Sequence, residues 1–191
     1  MTPDDGPTRK PRADSLRNRE LLLTAAKAAF GEKGADVPLD EIAQRAGVGI
    51  GTLYRHFPTR AAVLGAVYER EVEQLAKSAI ELLASRQAGD ALEAWLHLLI
   101  DYLAAKRVLA PALISAGEGS RVHSPALKTV SGVMDQLVVA ARASGDIRPE
   151  IDVVDVRRML VGLTHGYDQA GWEPSARRLV AVIVGGLKPA A

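Results

Sequence analysis

Residues Pro38–Arg60 read PLDEIAQRAGVGIGTLYRHFPTR, and they decide the fold. Leu39, Ile42, Ala43 and Ala46 fall at i, i+3, i+4 and i+7, one apolar stripe of a short helix. Pro38 suits a first helical position, and Asp40 and Glu41 put negative charge in the first turn, where the helix dipole favours it. Gly47 then supplies a residue able to adopt the left-handed conformation that stops a helix sharply. Val48 is an apolar plug for the corner. A second helix follows from about Ile50 to Phe57, with Leu53 and Phe57 inward and Gly49, Thr52, Arg55 and His56 outward. Pro58 closes it, because the residue before a proline avoids the helical region. Two short helices, a glycine turn and a donor-rich second helix make a helix-turn-helix suited to a major groove.

Working outward, the string AGVGIGTLYRHFPTRAAVL, Ala46 to Leu64, resembles the turn, recognition helix and start of the fourth helix of the tetracycline-repressor (TetR) family of bacterial transcription regulators. The resemblance covers residues 15–66 strongly and the remainder in length and helical organisation. It implies that Thr52, Tyr54, Arg55 and His56 touch DNA. The planar fork of Arg55 suits either a guanine edge or a phosphate. Tyr54 is expected to give its hydroxyl to a phosphate. His56 either meets a phosphate oxygen or packs against the first helix. Arg60 matches a basic position at the start of the fourth helix, where a phosphate partner would offset the unfavourable placement of a cation. Gly49 and Ile50 depart from the polar residues often found there. They are still placed in the DNA-facing set, Ile50 as an apolar contact for a thymine methyl. Any known operator sequence does not carry over through those two departures.

Bulk properties agree with a helical protein. The 191 residues are 48% hydrophobic and only 4% aromatic. A core of Leu, Val, Ala and Ile without alternating β-branched runs favours an all-α chain. Net charge is +1, so no global positive field announces nucleic acid. Basic residues cluster locally instead, with Arg9, Lys10, Arg12, Arg17 and Arg19 facing only Asp14. Residues 1–14 are expected to be a disordered basic arm; Arg9, Lys10 and Arg12 are its candidate contacts to phosphate or the minor groove. The chain has no cysteine, which excludes disulfides and thiolate metal sites. No apolar run is long enough to span a membrane and no signal-peptide core opens the chain, so the cytoplasm is the expected compartment.

The organisation expected is a three-helix DNA-binding head over residues 15–60 and a helical bundle body over 61–191 for ligand binding and dimerisation. The first helix should run from about Ser15 to Lys33, with Leu16, Leu23, Ala26 and Phe30 on one stripe. Thr59 should cap a long fourth helix reaching about Ser85. Six further segments are expected to follow: a loop near Gln87–Asp90 and then helices at about 91–108, 112–116, 125–143, 153–166 and from 174 onward. That makes nine helices, with breaks at Pro111 and over Gly117–Pro125.

In the body, Trp95, Tyr102, Met134, His123, His165, Tyr167 and Trp172 stand out from an aliphatic background, and the first five are the candidate pocket residues. The family's bodies often hold a small molecule between helices four and seven, and few charges here point to an apolar or aromatic effector. The last two helices are apolar over most of their circumference and must be buried on more than one side. Met159, Leu163, Val180, Ile183, Val184 and Leu187 are therefore the candidate interface of a two-fold homodimer.

Catalysis has little support. The four histidines show no metal-type spacing, and the segments GVGIG and GEGS lack both a preceding strand and a phosphate-loop lysine. No cofactor or metal is expected. The resulting reading is a homodimeric regulator, a repressor released by its effector from a palindromic operator in double-stranded DNA. The alternative is a helical ligand-binding protein or enzyme whose helix-turn-helix does not function.

Overall fold

The structure, a computed structural model, describes residues 10–167 and 169–189, without the side chains of 10–12 and 120–124. Among these residues there are helices and no strands. In chain order they are α1 (Lys10–Lys33), α2 (Leu39–Arg45), α3 (Ile50–His56), α4 (Arg60–Ser85), α5 (Ala88–Ser115), α6 (Gly119–Ala143), α7 (Val153–Thr164) and α8 (Trp172–Leu187). The chain divides into two compact units, one ending at Val67 and the other beginning at Tyr68. Helix α4 contributes its first residues to one and the rest to the other.

In the first unit α1 packs on α2 and α3. Leu22, Leu23, Ala26, Ala29 and Phe30 of α1 are buried with Val37, Leu39, Ile42, Ala43, Leu53, Phe57, Val63 and Leu64. Leu16, expected on the buried stripe, is 67% exposed. The reason is length: 24 residues make a rod of about 36 Å, whereas α2 and α3 have seven residues each and cannot cover it. Helix α1 also starts at Lys10 rather than near Ser15, within the stretch read as an arm. Pro11 is no obstacle there, since the amide it lacks would be unpaired in a first turn. Arg9 lies outside the described residues, as do the side chains of Lys10 and Arg12.

The second unit is built round α5, which packs chiefly on α6 and α8. Helix α5 runs through Pro111, so the break and separate short helix expected near 112–116 do not occur. A mid-helix proline costs roughly 3 kcal/mol. The buried Leu109, Ala110 and Leu113 on either side of Pro111 outweigh that cost, at about 1.5–3 kcal/mol for each fully buried leucine. The true stop is Gly117, at φ 77°, where Gly117 N donates to Ile114 O at 3.0 Å and Glu118 N to Leu113 O at 2.9 Å. These are the paired bonds of a Schellman cap. Helix α6 starts at Gly119 and absorbs Pro125, which lies on its exposed face. The expected nine helices thus become eight.

Helix α7 has a full capping box: Asp152 accepts from Val154 N and Asp155 N, and Asp155 accepts from Asp152 N. The backbone amides of Asp155 and Val154 hold the Asp152 carboxyl below its ordinary pKa. Packing of α7 and α8 corrects the interface expected from the sequence. Leu163, Val180, Val184 and Leu187 are at most 5% exposed and belong to the chain's own core. Met159 and Ile183 are half-buried. The apolar side chains these helices leave outside are Val154, Val161, Leu179 and Val182. No helix among the described residues is long and apolar enough to cross a membrane.

Candidate nucleic-acid interface

The corner between α2 and α3 is closed by local bonding. Gly47 sits at φ 69°, its amide donating to Gln44 O at 3.1 Å and that of Val48 to Ala43 O at 3.0 Å. This Schellman cap satisfies the last carbonyls of α2 and turns the chain within two residues. Gly49, in extended backbone, is the N-cap of α3 and offers no side-chain bond, but its carbonyl accepts from Thr52 N at 2.9 Å. Leu53 and Phe57 anchor α3 inward, fully and almost fully buried.

What α3 turns outward is part of the set expected from the sequence. Ile50, Tyr54 and Arg55 are exposed and Thr52 and His56 half-buried. The Tyr54 hydroxyl and the Arg55 guanidinium have no hydrogen bond or ion pair to any described residue. No acid lies on α3, and Arg55 and His56 end it. Such uncommitted donors on an exposed helix face can meet phosphates and base edges without first breaking an internal bond. His56 packs its ring 6.2 Å from that of Phe57, which places it at the edge of this face.

Four cations of the first unit are engaged by the chain itself. Arg60 donates from Nη1 to Ala35 O at 2.9 Å and Val37 O at 2.7 Å, clamping the α1–α2 connection to the start of α4. Two carbonyls thus offset the dipole penalty for which a phosphate was expected. Thr59 caps the same helix by accepting from Ala62 N at 3.1 Å, as its sequence position suggested. Arg19 lays its guanidinium 5.3 Å from the Phe57 ring centroid, tying α1 to the end of α3. Nothing in the sequence pairs residues so far apart, and a basic cluster read linearly hides this role. Arg45 is likewise occupied, by Glu41 at 2.7 Å and Glu32 at 2.8 Å, and Lys33 joins Glu41 at 2.7 Å. The hydrogen bond from Lys33, with help from Arg45, holds the Glu41 carboxyl below the usual range.

The second unit contains a cavity of about 350 Å³ between α4, α5, α6 and α7. This is the lower end of the roughly 300–1,000 Å³ typical of small-molecule sites. Of the five candidate pocket residues, Tyr102 and Met134 line it. Trp95 does not: it is fully buried in the core, its indole N–H donating to Leu75 O at 2.9 Å. His165 is exposed at the end of α7 and is not in the lining, and the side chain of His123 lies outside the described residues. The lining also contains Tyr167, and Tyr68, Lys106 and Arg157, which sequence reasoning missed. Tyr68 and Tyr102 share a hydroxyl–hydroxyl bond of 2.8 Å, and burial raises both phenol pKa values.

Comparison with known proteins meets this geometry at both ends. Residues 22–67 match the profile of "Bacterial regulatory proteins, tetR family", and residues 87–189 that of "Transcriptional regulator SbtR-like, C-terminal domain". A TetR transcriptional regulator from Streptomyces coelicolor is 36% identical; the alignment covers 91% of this chain and 99% of that one, with TM-score 0.78. A TetR transcription regulatory protein from Mycobacterium vanbaalenii is 35% identical over 93% of this chain and 99% of its own, also at 0.78. An HTH-type transcriptional regulator of Staphylococcus aureus is 34% identical over 79 residues, 40% of this chain and 41% of that protein. The chain thus spans well under half the length of this curated relative. With its capped corner, an exposed α3 rich in donors and a helical body matched along its length, the chain belongs to the TetR family of transcriptional regulators and carries that family's DNA-binding domain.

Proposed function

We propose that this regulator is a homodimeric repressor that holds a palindromic operator through two copies of α3 and releases it when a small apolar or aromatic molecule fills the cavity. The observation that carries the reading is the exposed face of α3, where Tyr54 and Arg55 have donors committed to nothing else among the described residues. Thr52, His56 and Ile50 border them, and the basic residues Arg9, Lys10 and Arg12 at and before the start of α1 add phosphate contacts. Arg60 contributes by fixing the start of α4.

Pairing of two chains is supported by the outer faces of α7 and α8. Val161 and Val182 are 70% and 68% exposed, Val154 and Leu179 lie on the same two helices, and Gly162, Gly185 and Gly186 have open space where a side chain would be. Valine and leucine left in water beside small residues favour close helix approach to a second copy. Linking two heads allows half-sites about one helical turn apart to be gripped together. A ligand in the cavity touches Tyr68 of α4, and α4 also supplies Arg60, so effector and operator would bias one helix. The absence of cysteine accords with action in the cytoplasm.

The test selects DNA fragments with the purified protein and measures their affinity by fluorescence anisotropy. Affinity should fall steeply with salt through counterion release. Arg55→Ala should cost about 1–3 kcal/mol and relax preference at one position per half-site. Unchanged affinity and preference in that variant would remove Arg55 from the reading set, and no selected sequence at all would sink the operator reading.

A further inference from the structure

The cavity of the second unit carries a charge that no described residue of its wall balances. Leucines, Val130, Met134 and three tyrosines make most of that wall. Two cations, Lys106 of α5 and Arg157 of α7, belong to the lining, and among the described residues no carboxylate does. Arg157 is already neutralised, because Nε donates to Asp135 Oδ1 at 3.0 Å and Nη2 to Oδ2. Lys106 has no hydrogen bond or ion pair to any described residue. It is half-buried, and burial alone pushes its ammonium below the usual lysine value. A cation drawn out of water costs free energy until an anion or acceptor meets it. Tyr102, one turn earlier on α5, lines the same cavity, its hydroxyl bonded to that of Tyr68.

We propose that the cavity takes a small apolar or aromatic molecule bearing a single carboxylate, which pairs with Lys106 while its hydrocarbon lies against Leu99, Leu103, Met134 and Leu160. The inference rests on the reading of this cavity as the effector site, and narrows it to monoanions. A neutral ligand would bury Lys106 more deeply and leave it without an anion. A phosphate ester would bring up to two charges to one unbalanced cation, since Asp135 already holds Arg157. The lysine's compact ammonium imposes no bidentate geometry, so carboxylates on differently shaped skeletons can reach it.

The test uses the full-length purified protein, with calorimetry of octanoate, phenylacetate and phenylbutyrate beside their primary amides. At least one acid should bind about tenfold or more tightly than its amide, the range of a charge-assisted bond. Lys106→Met keeps an apolar stem and removes the ammonium. It should bring the acid down to the affinity of its amide, with amide binding unchanged. Lys106→Arg should keep the preference. Amide binding and operator binding by each variant report an intact fold; should Lys106→Met not fold, Lys106→Gln makes the same comparison. Equal binding of acid and amide, binding of no acid, or a preference that survives loss of the ammonium overturns the inference. Operator binding without acid binding defeats this proposal alone, whereas acid binding without operator binding defeats the regulatory reading instead.

Discussion

Two glycines four residues apart in the helix-turn-helix should respond to alanine with opposite sign. Gly47 lies at φ 69° and Gly51 lies inside α3 with ordinary helical backbone. A Cβ built on either meets nothing within 4 Å, so neither substitution creates a clash and only backbone conformation differs. At Gly47 the left-handed conformation costs an alanine about 1–2 kcal/mol. Stiffening of the unfolded chain returns roughly 0.4–1 kcal/mol of that. The net expectation for Gly47→Ala is a loss of about 1 kcal/mol. At Gly51 alanine is the better helix former by about 0.8–1.0 kcal/mol, so Gly51→Ala should gain nearly that much. The two variants should differ by about 2 kcal/mol, near thirtyfold in the unfolding constant. For a chain of 191 residues the separation in Tm should be roughly 4–8 °C. Urea titrations followed by circular dichroism, with m held equal, measure it directly. A neutral or stabilising Gly47→Ala would show that the corner is not held by its Schellman bonds.

Four further substitutions separate structural roles. Arg60→Met removes the clamp on Ala35 and Val37 and should destabilise the first unit by about 1–3 kcal/mol, read as a lower urea midpoint. Were the midpoint unmoved while DNA affinity dropped, Arg60 would return to the phosphate role. Val182→Glu places a charge on the exposed face of α8 and should shift a dimer toward monomer in sedimentation with the fold intact, whereas Val184→Glu, in the core, should unfold the second unit. A monomeric wild type at micromolar concentration would end the dimer proposal. Trp95→Phe forfeits the bond to Leu75 O and part of a filled core, about 1–3 kcal/mol, and should leave ligand affinity unaltered. A large loss of affinity in that variant would restore Trp95 to the ligand site.

Features governed by bonding within four or five residues were legible in the linear chain. The left-handed Gly47, the Thr59 cap, and the inward Leu53 and Phe57 against an outward Tyr54 and Arg55 all follow from helical period and capping rules. Pro111 marks where that locality fails. A proline announces a break, yet the burial of Leu109 and Leu113 by other helices exceeds its cost, and no local window contains those partners. Periodicity states that a helix has an apolar face without naming what covers it. Val161 and Leu163 are both apolar residues of α7, and only packing sends Leu163 into the core and leaves Val161 outside. The same holds for charge. Arg60 reads as a ligand for phosphate until the chain brings Ala35 and Val37 to it. Nothing in the linear chain distinguishes Arg157 from Lys106; the fold sets Asp135 beside the first and, among the described residues, no acid beside the second. Hydrogen-bonding rules act along the backbone and are written there. Burial and the pairing of charges depend on distances between residues remote in sequence, and those distances exist only once the helices have packed.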